Sequence, residues 1–229
     1  MVIYNNVFVL EQYKEEESML YNGVVIFGEM GAGKDALAAQ LVELRDKAKI
    51  YNMGVLCREM MKVSKVNQQW KGLERYIGQT VADKLREMDM NIMCDYILSL
   101  IYEGGQKKYG WDNSDLEGEA FDNALKEQLS LVREEELSII VGGRTLSDVH
   151  YWRDKGYLIL GIRISPEIRK KRLISRDGEE VVKNSNTKHN TEVDVPYILD
   201  NLCHEVIFND GTLEELKDAA EKILIKYNF

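Results

Sequence analysis

The run Gly28-Glu29-Met30-Gly31-Ala32-Gly33-Lys34-Asp35 is the part of the chain best suited to chemistry. It fits GxxxxGK, in which glycines let successive backbone N–H groups curl around a phosphate. A helix opening directly after the loop would turn its positive end on the same anion. Lys34 then reaches the β and γ oxygens, and Gly28, Glu29, Met30, Gly31, Ala32, Gly33 and Ala36 complete the cradle for ATP. Asp35 stands where Ser or Thr usually offers a hydroxyl to Mg2+. A carboxylate is also a hard ligand, so Asp35 is the expected metal residue.

A second concentration of charge follows between Arg163 and Arg176, with six basic residues and one acid, Glu167. Arg169, Arg172 and Arg176 are three and four apart, so a helix puts them on one face. Guanidinium forks grip phosphate oxygens in pairs and stay charged at any working pH. A solvated helix face is the plainer alternative. Arg172 and Arg176 are the residues expected to close over a transferring phosphoryl group.

These residues need elements to hold them. Val24-Val25-Ile26-Phe27 reads as a buried parallel strand, and Leu37, Leu41, Leu44 and Ala48 recur at helical spacing after the loop. Ile50-Tyr51 reads as a short second strand before a helix near Gly54. The chain is then largely helical to about Glu136, with a polar break over Gly104 to Gly118. Apolar runs return at Leu137 to Val141, Tyr157 to Ile164 and Glu205 to Phe208, each followed by a helical pattern. Thr212 and Glu215 form a capping-box pair ahead of the last helix. Alternation of this kind predicts an α/β fold with a parallel sheet and helices on both faces. Within it, residues 1–22 form an N-terminal extension carrying a candidate strand at Val7-Phe8-Val9-Leu10. Residues 23–229 are the main domain, with a helical insert over 54–136 and a lid over 165–195.

The GKD ending of the loop resembles that of phage deoxynucleoside monophosphate kinases and of phosphomevalonate kinases, both adenylate-kinase-like. Arg172-Leu173-Ile174-Ser175-Arg176-Asp177-Gly178 resembles the lid of dephospho-coenzyme A kinases. Asn209-Asp210-Gly211-Thr212-Leu213-Glu214-Glu215-Leu216 is similar to the NxGTxEEL segment of those enzymes, which implies that Asn209 and Gly211 lie against adenine. Arg144, in Val141-Gly142-Gly143-Arg144, matches the arginine of the phage enzymes' Asp-x-Arg, but Gly142 replaces the aspartate. Arg86, in Ala82-Asp83-Lys84-Leu85-Arg86, resembles a GDxLR-like segment, and Arg58 resembles the arginine after the second strand; Arg75 shares the same insert. The resemblance covers residues 23–58 and 137–224 well and the middle loosely. It implies a three-layer P-loop kinase fold and an ATP- and Mg-dependent transfer to a nucleoside monophosphate, with the helical insert over 54–136 as the acceptor-binding part and Arg58, Arg86 and Arg144 on the acceptor. Dephospho-coenzyme A, another small phosphorylated metabolite, or a regulator without turnover are the alternatives. With Gly142 in place of the aspartate, Asp148 and Glu192 are the fallback acids for the metal. His189 and Glu192 loosely resemble an HxxE-like patch.

Composition narrows the class. The chain has 229 residues, 45% of them hydrophobic, which is enough for a real core. A net charge of -9 weighs against nucleic acid polymers and acidic membranes, and small-molecule nucleotides are the expected partners. A homodimer stays open. Cys57, Cys94 and Cys203 are scattered singly, as buried thiols of a reducing compartment would be, so a cytoplasmic location is expected. The three histidines are too dispersed for a metal site. A GTPase switch would need NKxD, which is absent, and the DxxG at Asp115 to Gly118 does not follow a buried strand.

Overall fold

A computed structural model describes residues 20–63, 73–178 and 193–229, without the side chains of Val63, Arg75 and Asp177. A five-stranded parallel sheet forms its middle layer: β1 (Gly23–Phe27), β2 (Ala48–Asn52), β3 (Leu137–Val141), β4 (Leu158–Arg163) and β5 (Glu205–Phe208), in the order β2-β3-β1-β4-β5. β1 is central, pairing Val25 with Ile140 on one side and with Ile159 on the other.

Nine helices are described: α1 (Lys34–Leu44), α2 (Val55–Val63), α3 (Glu74–Met88), α4 (Ile92–Tyr109), α5 (Gly118–Glu135), α6 (Leu146–Asp154), α7 (Pro166–Asp177), α8 (Val195–Asn201) and α9 (Leu213–Lys226). Side chains alternate along each strand, so the two faces of the sheet build two cores. Val24 and Ile26 pack with Leu37 and Leu41 of α1 and with Leu216, Ala220 and Ile223 of α9. Val25 and Phe27 face Cys94, Ile97, Leu129, Trp152 and Ile198 from α4, α5, α6 and α8. Covering on both faces explains why β1 and β3 are apolar at nearly every position.

The strands, the parallel pairing and the three layers agree with the sequence reading. Two local expectations do not. The helical spacing read through Ala48 does not hold: α1 ends at Leu44, Lys47 turns the chain with φ 59°, and Ala48 opens β2. The break expected from Gly104 is also shorter, because α4 carries both Gly104 and Gly105 and stops at Gly110, whose left-handed backbone caps it. Gly105 has a packing reason, since a Cβ there would collide with the Trp111 ring.

The capping box of Thr212 and Glu215 starts α9 as expected, and a second one, Thr145 with Asp148, starts α6. Among the described residues no helix is long and apolar enough to cross a membrane. The candidate strand at residues 7–10, residues 179–192 of the expected lid, and with them His189 and Glu192, lie outside the described residues.

Candidate functional site

The glycine loop bends from the end of β1 into α1 through two left-handed glycines, Gly31 (φ 82°) and Gly33 (φ 102°). Other residues adopt that backbone only under strain. No side chain caps α1, so its first N–H groups are left to an outside anion. Lys34 folds back over the loop, and its Nζ donates to the carbonyls of Gly28 at 2.5 Å and Glu29 at 2.9 Å. It is 9% exposed. Burial, and then the Arg144 charge, push its pKa down to about 7, with Asp35 pulling the other way.

Contacts from distant parts of the chain brace the loop. The Asn209 side chain, buried after β5, donates to the Ala32 carbonyl at 2.7 Å and occupies the place a Cβ on Gly33 would need. Arg169 of α7 donates through Nε to the Met30 carbonyl at 2.8 Å and pairs with Glu29 at 3.0 Å. Neither role was visible in the sequence. The spacing of Arg169, Arg172 and Arg176 suggested one phosphate-facing stripe, but Arg169 is committed to the loop. The Asn209 amide likewise turns inward onto the loop.

Arg172 and Arg176 line a recess of about 190 Å3 with Gly31, Gly33, Lys34, Asp35 and Ala36. Arg172 also donates to the Gly211 carbonyl at 3.2 Å, which links α7 to the turn before α9. The expected catalytic residues Lys34, Arg172 and Arg176 therefore meet around one small space.

A larger cleft of about 490 Å3 opens between the loop and helices α2 and α3. Lys34, Arg58, Arg86, Arg144 and Arg176 line it, against two acids, Asp35 and Glu74, so it suits an anion. All three arginines read as acceptor residues are thus brought to one cavity. The sequence reading missed its remaining wall. Glu74, Gly78, Ala82 and Arg86 stand every fourth position on α3 and all line the cleft, where the two small residues leave room beside the charges. Asn52 and Gln79 add amides, while Cys57, Met61 and Met93 give apolar surface. The stripe on α3 was the available signal.

Gly142 adopts φ 99°, and the peptides beyond it curl around Asp148. The Asp148 Oδ2 accepts from the N–H groups of Arg144 at 2.8 Å and Thr145 at 3.0 Å, and from Arg86 Nη2 at 3.1 Å. Its Oδ1 takes the Cys94 thiol at 3.4 Å. Burial, and then this carboxylate, raise the Cys94 pKa. Asp148 is fully buried, which overturns its reading as a fallback metal acid: no free oxygen faces the cleft.

Asp35, in contrast, is exposed and lines both cavities. Among the described residues no group of three His, Cys, Asp or Glu gathers to hold a metal. Mg2+ on a nucleotide takes one or two carboxylates and fills its remaining positions with phosphate and water, so the exposed carboxylate beside an uncapped helix fits that ion.

No protein-family model matches the chain, and no curated protein matches it in sequence. Among solved structures, it is similar to shikimate kinase from Bacteroides thetaiotaomicron, with a TM-score of 0.44 and 11% identity over 90% of this chain and 98% of that one. It is also similar to shikimate kinase from Acinetobacter baumannii in complex with shikimate, with a TM-score of 0.45 and 14% identity over 90% of this chain and 92% of that one. At these values the likeness says nothing about the substrate. The α/β class rests on the strand order and the strand–glycine loop–helix unit themselves.

Proposed function

We propose that this chain is an ATP- and Mg-dependent phosphotransferase whose acceptor already carries a phosphate, a (deoxy)nucleoside monophosphate first among the candidates. The observation that carries this reading is the meeting of five cations, from the loop, α2, α3, the β3–α6 turn and α7, around one cleft. So many unlike elements supplying positive charge to one space is the arrangement needed to bring two phosphorylated groups together.

The open amides of the loop and α1 and the Lys34 ammonium bind the triphosphate. Asp35 is the residue that would hold Mg2+, which when bound offsets the charge of the phosphates. Arg172 and Arg176 approach from α7 as a lid and neutralise charge on the transferring group. Arg86, Arg144 and Arg58 orient the acceptor phosphate, with Gln79 and Asn52 placed to meet polar edges further along the molecule. An acceptor oxygen forms the new P–O bond as the bond from the γ phosphorus to the β-γ bridging oxygen breaks, and ADP leaves. That oxygen is already ionised, so no strong general base is required. Positioning and electrostatic stabilisation account for the catalysis.

The test is a coupled ATP-to-ADP assay over nucleoside monophosphates, dephospho-coenzyme A and phosphomevalonate. Turnover with a nucleoside monophosphate is expected. Turnover with only dephospho-coenzyme A or phosphomevalonate would keep the enzyme and overturn the nucleotide acceptor. A second reading, a nucleotide-binding regulator, is motivated by Gly142 in place of the resembled aspartate. It predicts tight binding of ATP with Mg2+ and no turnover on any member of the panel.

A further inference from the structure

Two arginines of the cleft reach it from different parts of the fold: Arg86 from α3, and Arg144 from the turn after β3. One carboxylate touches the supports of both. Asp148 Oδ2 holds the Arg86 guanidinium at 3.1 Å and the Arg144 backbone N–H at 2.8 Å. It is wholly enclosed, and the Arg86 side chain is 10% exposed. The carboxylate cannot turn to solvent, so it fixes the one side of the guanidinium it touches while Arg86 still lines the cleft. Arg86 Nε is buried with no hydrogen-bond partner among the described residues, so the bond from Nη2 to Asp148 is what orients the guanidinium.

The turn shows the same dependence. Gly142 sits at φ 99° and a Cβ on Gly143 would run into the Phe27 ring, so the backbone takes a path here that other residues would not follow. Its N–H groups at Arg144 and Thr145 converge on the one oxygen, which also completes the capping box that starts α6. Removing the charge from that oxygen weakens three charge-assisted hydrogen bonds together. It also leaves Arg86 as a buried cation without a counterion.

We propose that Asp148 is a positioning residue for the phosphate acceptor, setting Arg86 through its side chain and Arg144 through its backbone. The inference rests on the reading of the cleft as the acceptor site. It separates Asp148 from the residues that touch substrate. It also joins the helical segment between β2 and β3 to the β3 turn as one acceptor-holding unit.

The experiment compares wild type with D148N, following acceptor KM, ATP KM and kcat on the nucleoside monophosphate panel, and calorimetric binding of the same nucleotides. Acceptor KM and Kd should rise on the order of tenfold or more, as expected when arginine contacts lose their alignment. ATP KM should stay within about twofold, since Asp148 touches none of the loop, and ordinary loss of stability would not separate the substrates in this way. A folded D148N with unchanged acceptor KM and Kd overturns the inference and leaves the kinase reading intact. If the wild type binds a nucleotide without phosphorylating it, the kinase reading falls, and the ratio of Kd values still decides for or against Asp148. If no panel nucleotide binds, the nucleotide acceptor and this inference fall together. Should D148N not fold, R86M is compared with the double variant R86M/D148N, which lacks the unpaired cation. A further rise of about fivefold in the double variant supports placement of Arg144 by Asp148, and equality overturns it.

Discussion

The Asn209 side-chain amide donates to the carbonyl of Ala32 at 2.7 Å and fills the space that keeps residue 33 a glycine. The turn after the last strand thus fixes the curvature of the loop after the first one. Asn209→Ala leaves the Ala32 carbonyl without its partner in a buried place. A loss of about 1–3 kcal/mol is expected, together with weaker ATP binding. Denaturant unfolding and calorimetric titration with ATP check it, and unchanged values for both would show that the loop holds its shape unaided. Gly33→Ala should be more harmful, because it adds backbone strain at φ 102° to the clash.

Lys34 carries the clearest pH dependence. Its pKa is pushed down to about 7 from 10.5, chiefly by burial. A bound triphosphate favours the charged form, so ATP binding near neutral pH should take up a proton. Affinity should be full below about 7 and fall as pH rises above it, by up to about tenfold per pH unit until the pKa of the complex is reached. Calorimetry in two buffers of different ionisation enthalpy reads the proton count directly, and Lys34→Met should abolish it. For the nucleotide-free protein the unfolded chain binds the extra proton between about 7 and 10.5, so this group makes stability rise with pH across that window. Lys34→Ala should also cost on the order of 10²-fold or more in kcat, the scale of a lost preorganised charge contact.

The arginines of α7 should separate by role. Arg176→Ala should lower kcat more than it raises the KM for ATP. Arg169→Ala, which releases the Met30 carbonyl and Glu29, should instead weaken ATP binding and lower thermal stability. If the two variants give the same kinetic pattern, the division of labour is wrong.

Asp35→Ala should abolish turnover without unfolding the protein, because the side chain is exposed and supports nothing in the core. Asp35→Ser should restore part of it at raised Mg2+, since a hydroxyl is the commoner group at this place in such loops. Turnover of Asp35→Ala at wild-type Mg2+ dependence would exclude the carboxylate from the metal.

Much of this arrangement was legible from local pattern. The buried run before the glycine loop, the loop itself and the Thr212 cap each depend on neighbours a few residues away, and the structure has all three. The bracing of the loop by Arg169 and the Asn209 side chain was not legible, for the opposite reason. Their spacing or motif pointed at ligand, while their partners, Met30 and Ala32, are brought close only by the packing of β4 and β5 beside β1. Helical spacing at Ala48 could not be told from the start of an edge strand, since one apolar residue serves both periods. The middle of the α3 wall hid because Gly78 and Ala82 are small, and what they contribute is space and not a functional group.

The φ of 99° at Gly142 also bears on how this protein could be re-engineered. An added Cβ would find room, the nearest atoms of Met53 being 3.5 Å away, so the obstacle to an aspartate there is torsional and not steric. A single codon change therefore would not install a second carboxylate in working form. The turn would first have to be re-bent, and the peptides that would move are those gripped by Asp148. A library meant to build a two-acid site would have to vary the turn over 142–147 as a unit while holding Asp148, so that Arg86 keeps its anchor.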